Sequence, residues 1–169
     1  FTPERMAAFE PVCRKLITDL VKEALDRDEV ELMADVALPF AVRVQCNFLG
    51  WPASLHDPLI VWTQKNHDAT LAQDREALSA LAREFEGLVD KMIDTRLQAG
   101  VDPEVDNTAA LMQEQVWGRT LSSEEITSIL RNWTVGEVGT ISAALGILTH
   151  YLADHPDLQD QLRNQSSLL

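Results

Sequence analysis

From Ser122 to about Asp154 the chain reads as one uninterrupted helix, far longer than the roughly 11–12 residues of an average helix. Ser122 and Glu125 form a Ser-x-x-Glu capping box at its start. His155-Pro156 stops it, because the residue before a proline disfavours helical backbone. A helix of this length crosses a whole domain, so the other elements have to pack around it. Its middle is unusual. Gly136 and Gly139 fall within one turn, and an interior glycine costs a helix about 1 kcal/mol relative to alanine. Two of them imply that something approaches the backbone closely there, either another helix or a flat ligand. Ser142, Ala143, Ala144 and Gly146 extend the notch. Glu137 and Thr140 lie three apart in an otherwise apolar stretch. They share neighbouring faces of one turn, and a buried polar pair needs a partner or a task.

The remaining periodicity is helical as well, with no convincing strand, repeat or low-complexity tract. Thr2 caps a first helix that has Pro3 at its first position. Its apolar stripe is Met6, Phe9, Cys13, Leu16, Ile17, Leu20, Val21, Ala24 and Leu25. A second helix spans about 32–49, up to Gly50-Trp51-Pro52. Pro39 lies inside it, so the main helix begins near Pro39 after a short preceding segment. A third helix covers about 57–71 and a fourth about 74–99, closed by Gly100. A short helix covers about 107–114, Val116-Trp117-Gly118-Arg119 is a turn, and Pro156 opens a last short helix to about Arg163 before the chain frays at 164–169. The fold class is therefore all-α, a single unit over 1–169.

Composition narrows the partners. A net charge of −13 makes a polyanion a poor partner, since binding one depends on releasing counterions from its phosphates; no nucleic acid is expected. Hydrophobic residues make up 46% of the chain, enough for one domain with a core. Cys13 and Cys46 sit among apolar neighbours and read as buried thiols rather than a disulfide. No secretory leader opens the sequence. The most apolar stretch, Val138 to Ala153, is too short to cross a bilayer. No membrane association and a cytoplasmic location follow as expectations.

Several chemistries lack their residues. No glutamate precedes His56, His67, His150 or His155 by three positions, so the Glu-x-x-His pairs of a di-iron bundle are absent. The sequence contains no His-Glu-x-x-His, no Cys-x-x-Cys, no Gly-x-Ser-x-Gly and no phosphate loop. No protein metal cage is expected.

The Gly136-Glu-Val-Gly-Thr140 segment, fifteen residues before His155-Pro156, resembles the long central helix of the cytochrome P-450 superfamily, the haem-thiolate monooxygenases. That family carries a small residue, Gly, any residue, Asp or Glu, then Thr, followed by a run to a similar stop before proline. Other landmarks follow in order. Phe1-Thr-Pro-Glu-Arg resembles the start of the helix after the family's arginine-rich haem-edge helix. Val30 to Pro52 is similar to the next family helix, with its Val-Asp-Leu, Pro and Leu-Gly-x-Pro landmarks. Arg119-Thr-Leu-Ser-Ser-Glu-Glu is similar to the lead into the long helix, and Leu158-Gln-Asp-Gln-Leu-Arg163 to the helix after it. The resemblance covers essentially the whole chain.

The departures matter. The position before the threonine, usually acidic, is Gly139, and Glu137 stands two residues earlier where the family has glycine. Neither Phe-x-x-Gly-x-x-x-Cys-x-Gly, which supplies the thiolate ligand, nor Glu-x-x-Arg is present. The resemblance implies an internal piece of a monooxygenase that inserts one oxygen atom from dioxygen into a small apolar substrate, with electrons from a redox partner protein. Thr140 takes the family threonine's catalytic role, with Glu137 as a displaced acid. Haem lies against Gly136 and Gly139. Asn132, Val135 and Gly136 line the distal pocket, and the third and fourth helices roof it. Haem belongs to the parent protein. The piece alone is expected to bind no cofactor, to have no metal ligand, to be inactive, and to associate into homo-oligomers through exposed apolar area. The alternative reading is a free-standing helical ligand-binding or dimerisation module.

Overall fold

A computed structural model describes residues 2–165. Thr2 Oγ1 accepts the Arg5 amide at 3.3 Å and starts α1 (Pro3–Leu25), with Pro3 in the first turn. Leu20 is its one fully buried residue. Met6, Val21 and Leu25, placed on the core stripe by periodicity, are exposed. The physical reason is position: among the described residues, α1 packs chiefly on α2 and the turn before it.

The predicted segment before Pro39 is a π-helical turn, Leu32–Ala37. The Glu31 carboxylate accepts the Ala34 amide at its start. Pro39 lacks an N–H, and just before it the Leu38 amide reaches back five residues to the Met33 carbonyl. Regular helix then resumes as α2 (Leu38–Leu49), which ends at Gly50 in the left-handed conformation, φ 72°.

A short 3-10 turn, Ala53–Leu55, leads into α3 (His56–Leu71). Asp74 Oδ1 accepts the Glu76 and Ala77 amides at 3.1 and 3.0 Å and opens α4 (Arg75–Ala99). Asp106 caps α5 (Asn107–Gln113). The predicted turn at Val116–Arg119 proves to be a tight hairpin, β1 (Gln115–Val116) antiparallel to β2 (Arg119–Thr120). That corrects the expectation of no strand. A two-residue ladder is too short for alternation to register in a sequence. The long helix α6 spans Ser123–Ala153 with both halves of the Ser122/Glu125 capping box formed, and α7 spans Pro156–Asn164. Of the segment expected to fray, Asn164 closes α7, Gln165 is its C-cap, and 166–169 lie outside the described residues.

The core sits where α2, α3, α4 and α6 meet. It is built from Val42, Cys46 and Leu49 of α2, Leu59 and Trp62 of α3, Leu81, Phe85 and Val89 of α4, and Ile126, Leu130 and Val138 of α6. Phe85 is fully buried between Trp51, at a centroid distance of 6.1 Å, and Trp62, at 4.9 Å. Burial of one such side chain contributes about 1.5–3 kcal/mol. The Trp62 indole N–H also donates to the Leu81 carbonyl at 3.0 Å, so the aromatic centre leaves no orphaned donor there. Desolvation pushes the buried Cys46 thiol up to about 12. Cys13 is half-buried, and burial raises its thiol too.

The window long and apolar enough to span a bilayer by composition is Leu32–Leu49, with mean hydropathy 1.3, not Val138–Ala153. It packs against α1, α3 and α6, with 44% of the window buried.

Candidate functional site: the open face of the long helix

Helix α6 has two unlike faces. Ile126, Thr127, Leu130, Thr134, Val138 and Ser142 are buried, at the three-and-four spacing of a packed stripe. Thr134 is fully buried and returns its hydroxyl to the Leu130 carbonyl at 2.8 Å, which satisfies it within the helix. The other face carries Asn132, Val135, Gly136, Glu137, Gly139, Thr140 and Ala143, all exposed. It continues through Ile147, Leu148 and Tyr151.

All six residues singled out from the sequence thus fall on this open side. The local reasoning about them needs two corrections. Gly136 and Gly139 are not a notch for a helix of this chain: a Cβ at either would meet no atom within 4 Å among the described residues. The close approach is made instead at Gly146, where a Cβ would stand 2.7 Å from Met33 Sδ of the π-helical turn. Glu137 and Thr140 are not a buried pair either, since both are exposed. Thr140 Oγ1 folds back, 2.6 Å from the Gly136 carbonyl and 3.2 Å from that of Glu137. The hydroxyl is held against the helix, and its remaining lone pairs face outward. The Glu137 carboxylate makes no hydrogen bond or ion pair with the described residues.

Asn132 and Val135 lie one turn earlier and line a cleft of about 350 Å³. Its other walls are Trp62 and Asn66 of α3, Leu78, Ser79 and Ala82 of α4, and Arg131 of α6 itself. Helices α3 and α4 therefore border the same end of the open face as Asn132 and Val135. Gly136 is not among the residues lining this cleft.

The face fits a flat apolar group. Two bare glycine positions leave backbone accessible, Val135 and Ala143 supply apolar flanks, and one oriented hydroxyl marks its centre. The described residues do not supply a thiolate to go with it. Cys46 is enclosed in the core and Cys13 lies on α1.

A second polar assembly lies away from this face and carries no sequence expectation. Arg96 and Asp106 form a buried, two-pronged ion pair, Nε to Oδ1 at 2.9 Å and Nη2 to Oδ2 at 2.8 Å. Arg96 Nη2 also donates to the Gly50 carbonyl at 2.7 Å and Nη1 to the Met92 carbonyl at 3.1 Å. Asp106 Oδ1 accepts the Ala109 amide at 2.7 Å. Thr108 Oγ1 donates to the Leu49 carbonyl at 2.8 Å and accepts the Trp51 indole N–H at 3.0 Å. The knot ties the ends of α2 and α4 to the start of α5. A Cβ at Gly50 would sit 2.2 Å from Asp106 Oδ2, so the position takes glycine for space as well as for its φ. The sequence did hold a signal. Arg96 follows Leu81, Phe85, Val89 and Ile93 at core phase, which is a charge where the stripe calls for an apolar residue.

Comparison with known proteins places these observations. No protein-family model matches the chain. Over 170 residues it is 30% identical to the probable cytochrome P450 127A1 of Sinorhizobium fredii, which covers 100% of this chain and 39% of that protein. It is 26% identical to 6-deoxyerythronolide B hydroxylase of Saccharopolyspora erythraea, over 100% of this chain and 41% of the relative. Among solved structures, the cytochrome P450 hydroxylase LnmA of Streptomyces atroolivaceus superposes with a TM-score of 0.85 at 22% identity, over 99% of this chain and 42% of that one. The chain spans about two fifths of the length of the relatives it matches.

Proposed function

This chain belongs to the cytochrome P450 superfamily, and on that premise we propose that it forms the central helical part of a haem-thiolate monooxygenase acting on a small apolar substrate. The observation that carries the reading is the bare glycine face of α6 around Gly136, Gly139 and Thr140, set in a chain that aligns end to end with P450 hydroxylases. Haem, when bound, supplies activation of dioxygen for insertion of one oxygen atom into substrate.

The residues of this chain contribute position and protons. Gly136 and Gly139 let the flat group lie on the helix backbone. Asn132 and Val135, with Trp62 and Leu78 across the cleft, give a small apolar substrate a partly apolar wall edged by Asn66, Ser79 and Arg131. Thr140 donates its hydroxyl proton to the Gly136 carbonyl in this structure and presents Oγ1 to the open side as an acceptor; turned off that carbonyl, the same hydroxyl donates to an acceptor over the face and takes a proton in exchange. Glu137 is the displaced acid that resupplies it through water, since Gly139 occupies the usual acid position. Electrons come from a redox partner protein, and the location is the cytoplasm.

The 169 residues by themselves are inactive and hold no haem through sulfur, because neither cysteine reaches the open face. With that face uncovered, Ile147, Leu148 and Tyr151 stay in water, and association between copies covers them.

The test is spectroscopic. The full-length protein containing this sequence, reduced under carbon monoxide, should give the red-shifted Soret band of thiolate-ligated haem, and the 169-residue chain mixed with haem should not. Thr140→Val should leave the full-length protein's haem content unchanged and lower product formed per dioxygen consumed by about 10²-fold. A Thr140→Val variant with unaltered turnover would remove the proton role. A full-length protein without haem would remove the reading altogether.

A further inference from the structure

The cleft between α3, α4 and α6 has a single charge on its wall, and that charge is positive. The chain carries 27 acidic residues against 14 Lys and Arg, yet among the described residues no Asp or Glu lines this cleft of about 350 Å³. Arg131 does line it, half-buried at its edge. Arg14, Arg27, Arg43, Arg96, Arg119 and Arg163 each meet a carboxylate. Arg131 makes no hydrogen bond or ion pair with a described residue. Glu86 and Glu124 lie in an adjoining cleft of about 200 Å³, whose wall Arg83 and Arg131 share, and neither carboxylate bonds Arg131.

A half-buried guanidinium has lost part of its water, so an acceptor brought into the cleft is held more strongly than one on an open surface. Asn66 and Asn132 line the cleft as well, and neither side-chain amide makes a hydrogen bond with a described residue. Trp62, Leu78 and Val135 supply the apolar part of the wall. One cation beside two neutral amides balances one negative charge. A carboxylate matches that set: the planar guanidinium takes both oxygens in a two-pronged pair, and the amides donate to the lone pairs left over. A phosphate dianion would keep one charge uncompensated in a partly dry cleft.

We propose that Arg131 anchors the carboxylate of an acidic substrate whose apolar body lies on Trp62, Leu78 and Val135. The proposal rests on reading the cleft as the substrate's wall, and it narrows the substrate class to apolar carboxylic acids. Arg131 precedes Thr140 by nine residues, about 14 Å of helix axis at 1.5 Å per residue. An acid held at Arg131 therefore directs oxygen insertion to the end of the molecule remote from its carboxylate.

Isothermal calorimetry on the full-length protein tests it, with decanoic, dodecanoic and tetradecanoic acids each compared with its methyl ester at neutral pH. Wild type should bind at least one acid about 10-fold more tightly than its ester, the size of a hydrogen bond to a charged group. Arg131→Gln should abolish that preference while ester affinity and helical circular dichroism are retained, and Arg131→Lys should keep part of it. Arg83→Gln, in the adjoining cleft, should leave it unchanged. A wild type that binds acid and ester alike, or binds neither, overturns the proposal; that is the result expected where the rest of the polypeptide pairs with Arg131. An Arg131→Gln variant with the preference intact overturns it too. Loss of the preference in Arg83→Gln as well assigns it to general positive charge and removes the anchor. The haem reading fails separately: a missing thiolate band under carbon monoxide would remove the oxygenase and leave the calorimetric preference standing.

Discussion

Three glycines of α6 differ in what stands beside them, and they should respond differently to one added methyl group. Gly136 and Gly139 face open space, whereas Gly146 lies under Met33. Alanine at 136 or 139 should stabilise the 169-residue chain by up to about 1 kcal/mol each, the helix-propensity difference. Alanine at 146 should gain less, since the Met33 thioether has to move aside. Urea denaturation of the three variants checks the order. In the full-length protein the sign at Gly139 should reverse for haem retention if the face holds the flat group. Arg96 is the other residue with a sharp expectation. Arg96→Met removes one partner of a buried pair and leaves the Asp106 carboxylate unpaired, which costs about 3–5 kcal/mol. The denaturant midpoint should fall accordingly, and Asp106→Asn should be destabilising too.

At the scale of elements, the start of α6 is an electrostatic assembly. The two bonds from Arg119 and the Ser122 amide hold the Glu125 carboxyl down to about 2, from an ordinary value of 4.5. A group whose folded value is depressed adds stability that is fully present above its unfolded value and is lost as pH falls through the folded one. The hairpin and first turn of α6 should therefore loosen between about pH 4.5 and pH 2. The protection of the Glu125 and Ile126 amides against exchange, relative to an unfolded chain at the same pH, should fall over that window in wild type. It should already be low at neutral pH in Glu125→Gln. The π-helical turn before α2 is the second such element. Pro39→Ala restores the missing donor and should let Leu32–Leu49 run as regular helix, detectable as loss of the Leu38-to-Met33 amide bond.

Across the whole molecule, one long helix is buried along one side and bare along the other, and the chain covers about two fifths of its relatives. The bare side predicts dye binding. A hydrophobic fluorophore should bind the 169-residue chain strongly, and an Ile147→Lys, Leu148→Lys double change should reduce that signal with helicity retained. Cleft, glycine face and Thr140 lie along one helix, so a substrate wall and a flat cofactor surface would share the same rigid support.

The elements were legible because their signals are local. Capping residues at Thr2 and Ser122, prolines at 3 and 156, and glycines at 50 and 100 mark the ends, and the three-and-four spacing of α4 marks its buried stripe. The ordered landmarks from Phe1 to Arg163 gave the family. Tertiary structure alone decided which side of a small-residue helix is covered. Spacing places Gly136, Gly139 and Gly146 on neighbouring faces, but only the position of Met33 shows that the third is packed and the first two are open. It likewise decided that Arg96 meets Asp106, because a buried charge is stable only where the chain returns a partner to it. That return depends on how α2, α4 and α5 converge in space, which no periodicity along the sequence encodes.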